Sequence, residues 1–173
     1  MKDRSISTRS AITLSAVTAV FAIALNFGIV HAEQSKAASL VDKRISEARA
    51  SINEISAKEL KVMMDKKEKF VLIDVREKSE YDAGHIKGAQ SIPRGLLEWV
   101  LTGRYKDLNT PIVFYCKTGA RSALSTKVAT ELGYKNLKNL RGSIKEWTEA
   151  GYEVYNQTGS FKLTPKGFRK RER

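Results

Sequence analysis

With a single cysteine, Cys116, this chain has no internal disulfide and no cysteine-based metal cluster. Its two histidines, His31 and His85, stand far apart with no metal-ligand spacing. No Gly-rich nucleotide fingerprint is present: Gly84, Gly88 and Gly95 have neither the spacing nor the strand–helix context. No segment repeats. Acidic residues are in deficit, 19 against 31 lysines and arginines, for a net charge of +12. What is present suffices for one domain with a real core: 173 residues, 42% hydrophobic and 8% aromatic.

The first residues read as an export signal. Lys2, Arg4 and Arg9 precede an apolar run from Ala11 to Leu25; Asn26 and Gly28 weaken that run, and Val30-His31-Ala32 puts small residues where a signal peptidase reads. Residues 1–32 are therefore expected to be a signal peptide cleaved after Ala32. The rival reading is an uncleaved anchor, because residues 11–30 are just long enough to span a membrane. Arg4 and Arg9 are not adjacent, which excludes a twin-arginine signal. Either way the body of the protein is expected outside the cytoplasm, in the periplasm, which argues against a nucleic-acid partner. Residues 33–51 are small, charged and polar. Val41, Ile45, Ala48 and Ile52 form a narrow helical stripe, so this stretch is either an amphipathic helix packed on the domain or a spacer.

From residue 52 to 155 apolar strands alternate with helical patterns, which predicts an α/β fold built on an open parallel sheet with helices on both faces. Ser56-Ala-Lys-Glu59 is a capping box before a helix through Leu60, Met63 and Met64, whose methionines read as core fillers. Phe70 to Val75 is a continuous apolar strand with Asp74, Arg76 and Glu77 at its carboxyl end. Residues 156–173 are polar. From Phe161 they hold six basic residues against Glu172, a tail expected to be solvated, or to touch anionic lipid headgroups or an acidic partner.

The stretch from Pro111 to Ser122 organises the chain. Ile112 to Tyr115 suits a strand buried on both faces. Cys116 ends it, Lys117 to Arg121 form a short loop around Gly119, and a helix is expected from Ser122 with Leu124, Val128 and Leu132 on one face. A strand, a tight loop and a helix N-terminus aim backbone N–H groups at one spot that favours an anion. A thiol held there loses its proton easily, aided by Arg121 and Lys117.

Several motifs in order resemble a single-domain rhodanese, a sulfurtransferase family. Asp74-Val-Arg-Glu77, Glu80-Tyr81, Gly84-His-Ile-Lys-Gly-Ala89 and Ser91-Ile-Pro93 look like its first signature. Cys116-Lys-Thr-Gly-Ala-Arg-Ser122 is similar to its active-site loop, and Leu140-Arg-Gly-Ser-Ile-Lys-Glu-Trp147 resembles its last turn and helix. Ser143 departs from the pattern, since many members have a second glycine there. The resemblance implies a sulfurtransferase. Cys116 would attack a sulfane sulfur and carry it as a persulfide, with Lys117, Thr118, Gly119, Ala120, Arg121 and Ser122 as the binding loop. It implies no metal or organic cofactor, a small anionic sulfur donor, and a thiol or protein-cysteine acceptor from another molecule. Asp74, Arg76 and His85 match positions near the site; their alternative is purely structural, an ion pair and a turn. Two other functions stay open. One is a non-catalytic or sulfur-carrier binding module. The other is a phosphatase or arsenate reductase of the same fold, although four residues between Cys116 and Arg121 leave a loop shorter than those enzymes use.

Overall fold

The computed structural model describes residues 33–163; the expected signal or anchor over 1–32 and residues 164–173 of the basic tail lie outside the described residues. Residues 33–50 form helix α1. The compact unit that holds the sheet begins at Arg44. Within it the last turns of α1 bury Ala48 and half-bury Ile45. Among the described residues no helix is long and apolar enough to cross a membrane.

The apolar run Ile112–Tyr115 becomes β4, with all four residues buried. It is flanked by β2 (Val71–Asp74) and β5 (Leu137–Leu140), and then by the short β3 (Gln90–Ser91) and β1 (Glu54–Ile55). The order is β1-β5-β4-β2-β3 and every pairing is parallel. Period-2 alternation divides the side chains of β4 between two cores. Ile112, Phe114 and Cys116 face Ile73, Val75, Leu97, Leu101 and Ala129. Val113 and Tyr115 face Leu60, Leu72, Ile86, Ile144 and Trp147. Helices α2 (Ala57–Asp65) and α6 (Ser143–Glu149) supply the second core; α4 (Leu97–Arg104) and α5 (Ala120–Glu131) supply the first. Full burial of one Phe or Leu contributes about 1.5–3 kcal/mol, so a few such contacts on each face hold the layers together. The open parallel α/β fold with helices on both faces is as the sequence predicts.

The capping box forms as read: Glu59 N–H donates to Ser56 Oγ at 3.2 Å, and Ser56 N–H to Glu59 Oε2 at 2.8 Å. Helix α5 differs from expectation in two ways. It starts at Ala120 rather than Ser122, and its buried residues are Ser122, Ala123, Ser125, Thr126 and Ala129. Leu124 and Val128 are only half-buried and Leu132 is exposed. A helix lying close on a parallel sheet has room for small side chains, and proximity decides here over hydrophobicity.

The fold does not close at Tyr155. Val154–Asn156 (β6) and Gly159–Phe161 (β7) form an antiparallel hairpin. Asn156 Oδ1 accepts from Thr158 N–H at 2.9 Å and from its hydroxyl at 2.7 Å, a side-chain turn that closes the hairpin. Phe161 and Leu163 pack on the core beside Trp147 and Val154, so the first part of the expected tail is docked. Truncation before Gly159 should therefore lower the unfolding midpoint in urea, and Phe161→Ala alone should cost about 1–2 kcal/mol, less than the 3–5 of a fully buried phenylalanine. An unchanged midpoint would show that the hairpin contributes nothing.

Candidate active site

The chain reaches β4 from the β2–β3 side and leaves toward β5 and β1. The carboxyl end of β4 is thus the point where strand order reverses, and there an open sheet leaves a crevice. Cys116 follows β4 directly and is 1% exposed. The start of α6 holds its backbone. Cys116 N–H donates to Ser143 Oγ at 3.0 Å, Ile144 N–H to Cys116 O at 3.2 Å, and Lys145 N–H to Lys117 O at 3.1 Å.

The loop then wraps the sulfur. Gly119 has φ +96°, a conformation that L side chains rarely adopt, and its N–H donates to Cys116 Sγ at 3.2 Å. Ser122 Oγ lies 3.5 Å from the same sulfur. Burial pushes the Cys116 thiol up, but hydrogen bonds from the Ser122 hydroxyl and from the N–H groups of Ser122, Thr118 and Gly119 outweigh it and hold the thiol below its ordinary value. The Lys117 and Thr118 side chains are exposed at the rim, and Ala120 opens α5.

Arg121 is placed differently from the sequence expectation. It donates to Glu80 through Nη1 at 2.7 Å and Nη2 at 2.8 Å, a bidentate ion pair that ties α5 to α3 (Lys78–Ala83). The Arg121 hydrogen bond holds the Glu80 carboxyl below the usual carboxylate range, against a smaller opposing effect of burial. Asp74 and Arg76 form a buried ion pair, with Nη2 to Oδ2 at 2.6 Å; Arg76 Nη2 also reaches Gly84 O at 2.7 Å. Their bonds go to each other and to the backbone, which is the structural alternative. His85 is likewise committed to structure. Its ring stacks on Tyr81 at 3.8 Å, its Nδ1 lies 3.0 Å from Tyr81 O, and its backbone bridges Tyr155.

Sequence reasoning gave no role to Glu80, although it lies inside a quoted motif, and noted Ser143 only as a departure. Ser143 is fully buried with φ +54°. Besides accepting from Cys116, its hydroxyl donates to Leu140 O at 3.1 Å. The strained backbone is kept where its side chain satisfies a buried N–H at the nucleophile. Ser143→Ala loses that bond and retains the strain, whereas Ser143→Gly loses both. The Ala variant should be less stable than the Gly variant by about 1–2 kcal/mol, the cost of a left-handed residue, in chemical denaturation. Equal stabilities would mean that position 143 carries no strain.

Comparison with known proteins agrees with this geometry. A family model described as "Rhodanese-like domain" matches residues 56–150. A sulfurtransferase of Allochromatium vinosum is 31% identical over 108 residues, 62% of this chain and 99% of that one. The human thiosulfate:glutathione sulfurtransferase is 34% identical, over 45% of this chain and 78% of its own. The solution structure of the polysulfide-sulfur transferase homodimer of Wolinella succinogenes aligns with a TM-score of 0.59 at 29% identity, covering 72% of this chain and 93% of that one. Other curated relatives are 33–36% identical, and this chain spans only 24–63% of their length. With a cysteine cradled by amides after the central strand of a parallel sheet, and a family model that matches more than half of its length, this chain belongs to the rhodanese-like family.

Proposed function

We propose that the protein is a sulfurtransferase that carries a sulfane sulfur on Cys116 between a small anionic donor and a thiophilic acceptor. The observation that carries this reading is the cradle: one buried sulfur meets the loop N–H groups and the Ser122 hydroxyl, and its proton is held loosely despite burial. In the first step the Cys116 thiolate attacks the outer sulfur of a donor such as thiosulfate. The S–S bond of the donor breaks, its electron pair leaves on sulfite, and a Cys116 persulfide anion remains. The amides from Thr118 to Ser122 stabilise that charge without reorganising. In the second step a nucleophile, cyanide in an assay or a thiolate in the cell, takes the outer sulfur. The Cys116 thiolate returns. Cysteine is both nucleophile and carrier, so the chemistry draws on no further group.

Thiosulfate and polysulfide are the donors named for two relatives, and they fit the cationic rim of Lys117. The chain's single cysteine puts the acceptor thiol on another molecule. Mass spectrometry after incubation with donor alone should show one added sulfur on Cys116, and kinetics with both substrates varied should give parallel double-reciprocal lines. Intersecting lines with no added sulfur would sink the double-displacement reading. Intact mass of the protein from its own cells also reports whether export removed residues 1–32.

A further inference from the structure

With Arg121 bound to Glu80, its guanidinium is not free to meet an anionic donor. Arg76 is buried against Asp74 and Lys145 pairs with Glu149 at 2.8 Å. Lys117 is exposed at the rim, but an ammonium is a point charge with no fork to orient two oxygens. Arg49 adds a guanidinium. It lies in the last turn of α1, is exposed, and has no hydrogen bond or ion pair among the described residues. Its Nη2 lies 3.2 Å from the point where a Cβ on Gly119 would stand. Gly119 is the residue whose N–H holds the Cys116 sulfur. Summing these contacts with one residue's covalent geometry puts the guanidinium no farther than roughly 9 Å from the sulfur, about one screening length at 0.1 M salt.

We propose that Arg49, supplied by the helix ahead of the matched rhodanese-like region, is the anion-recruiting residue of the Cys116 site. A guanidinium presents a planar fork that two oxygens of a sulfonate-like group can accept from together. Held at the loop, it binds the oxygen end of a thiosulfate-type donor while the outer sulfur enters the cradle. Glycine at 119 eases the approach, because a Cβ there would stand only 3.2 Å from Nη2 and crowd it. The identity of the donor rests on the sulfurtransferase reading; the recruitment of anions does not.

The test therefore uses two alkylating reagents of similar size and different charge, iodoacetate and iodoacetamide, on the full chain. Second-order rates for Cys116 are compared in wild type and in Arg49→Ala, Arg49→Lys and Arg49→Glu. The iodoacetate-to-iodoacetamide ratio should fall about 3–10-fold in Arg49→Ala, fall further in Arg49→Glu, and largely survive in Arg49→Lys. In wild type it should drop toward the Arg49→Ala value at high salt. The pH midpoint of the iodoacetamide reaction should rise only slightly in Arg49→Ala, because a cation at that distance also favours the thiolate. One ratio common to all four proteins would overturn the proposal. So would an equal loss with both reagents well above the midpoint, which would make Arg49 a brace for the loop. With thiosulfate, Arg49→Ala should raise KM by a similar factor and spare kcat. Proteins that alkylate as expected but form no persulfide would retain the role of Arg49 and remove the sulfurtransferase reading.

Discussion

Cys116→Ser is expected to bring thiocyanate production from thiosulfate and cyanide down to the uncatalysed background, with no added sulfur found after donor alone. Serine oxygen is far less acidic than cysteine sulfur and forms no persulfide. The fold should survive, because the replacement is nearly isosteric and the Gly119 N–H at 3.2 Å and the Ser122 hydroxyl still face an acceptor. A stability change within about 1 kcal/mol, the worth of one ordinary hydrogen bond, is expected. Full turnover by the serine protein would refute the mechanism. The same variant tests the thiol's acidity. The folded value is depressed relative to free cysteine, about 8.5. The thiolate therefore stabilises the folded state at pH above the unfolded value, and that contribution is lost as pH falls through the folded value. Wild-type stability should rise across that window where Cys116→Ser stays flat. In wild type, alkylation should show its midpoint below that of a free thiol.

Asp74→Ala should produce the largest loss of stability of any single change near the site. Asp74 is fully buried and the Arg76 side chain is 7% exposed, so removing the carboxylate leaves a guanidinium without its counter-ion in a dry interior. The expected cost is about 3–5 kcal/mol in urea or guanidinium unfolding. The double variant Asp74→Ala/Arg76→Met should cost much less than Asp74→Ala, because no buried charge is stranded. A single variant within about 1 kcal/mol of wild type would show that the interior solvates Arg76 by other means. Because Arg76 also holds Gly84 O at 2.7 Å, the stranded charge would loosen the end of α3, the helix that presents Glu80 to Arg121.

The sheet was legible because a strand buried on both faces has to be continuously apolar, as Ile112 to Tyr115 is. The capping box at Ser56 and the loop at Cys116 were legible because both are local: each pattern spans a few residues and its geometry follows from spacing. Three features were hidden for physical reasons. Strand β1 is two residues long and shows no periodicity. The β6–β7 hairpin reads as polar, since its contribution comes from the pairing and from Phe161 rather than from an apolar run. Arg121 and Glu80 are 41 residues apart, and nothing in either neighbourhood announces that α3 and α5 bring them together. On α5 the sequence misled, because an apolar stripe usually marks the buried face and here the small, partly polar stripe lies beneath.

That small-residue face limits how the site can be redesigned. Ser122, Ala123, Ser125, Thr126 and Ala129 seat α5 against the sheet, and the same helix carries at its N-terminus the amides that cradle the sulfur. A methylene added at Ala123 or Ala129 has to lift the whole rod, and overpacking of this kind costs about 1–3 kcal/mol. The lifted rod takes the cradle with it. Site-saturation libraries should therefore find the interior of α5 intolerant even where it is turns away from the nucleophile, and exposed Lys117 and Thr118 permissive beside it. Changes in what the cradle accepts are expected to be accessible from the rim and closed from beneath.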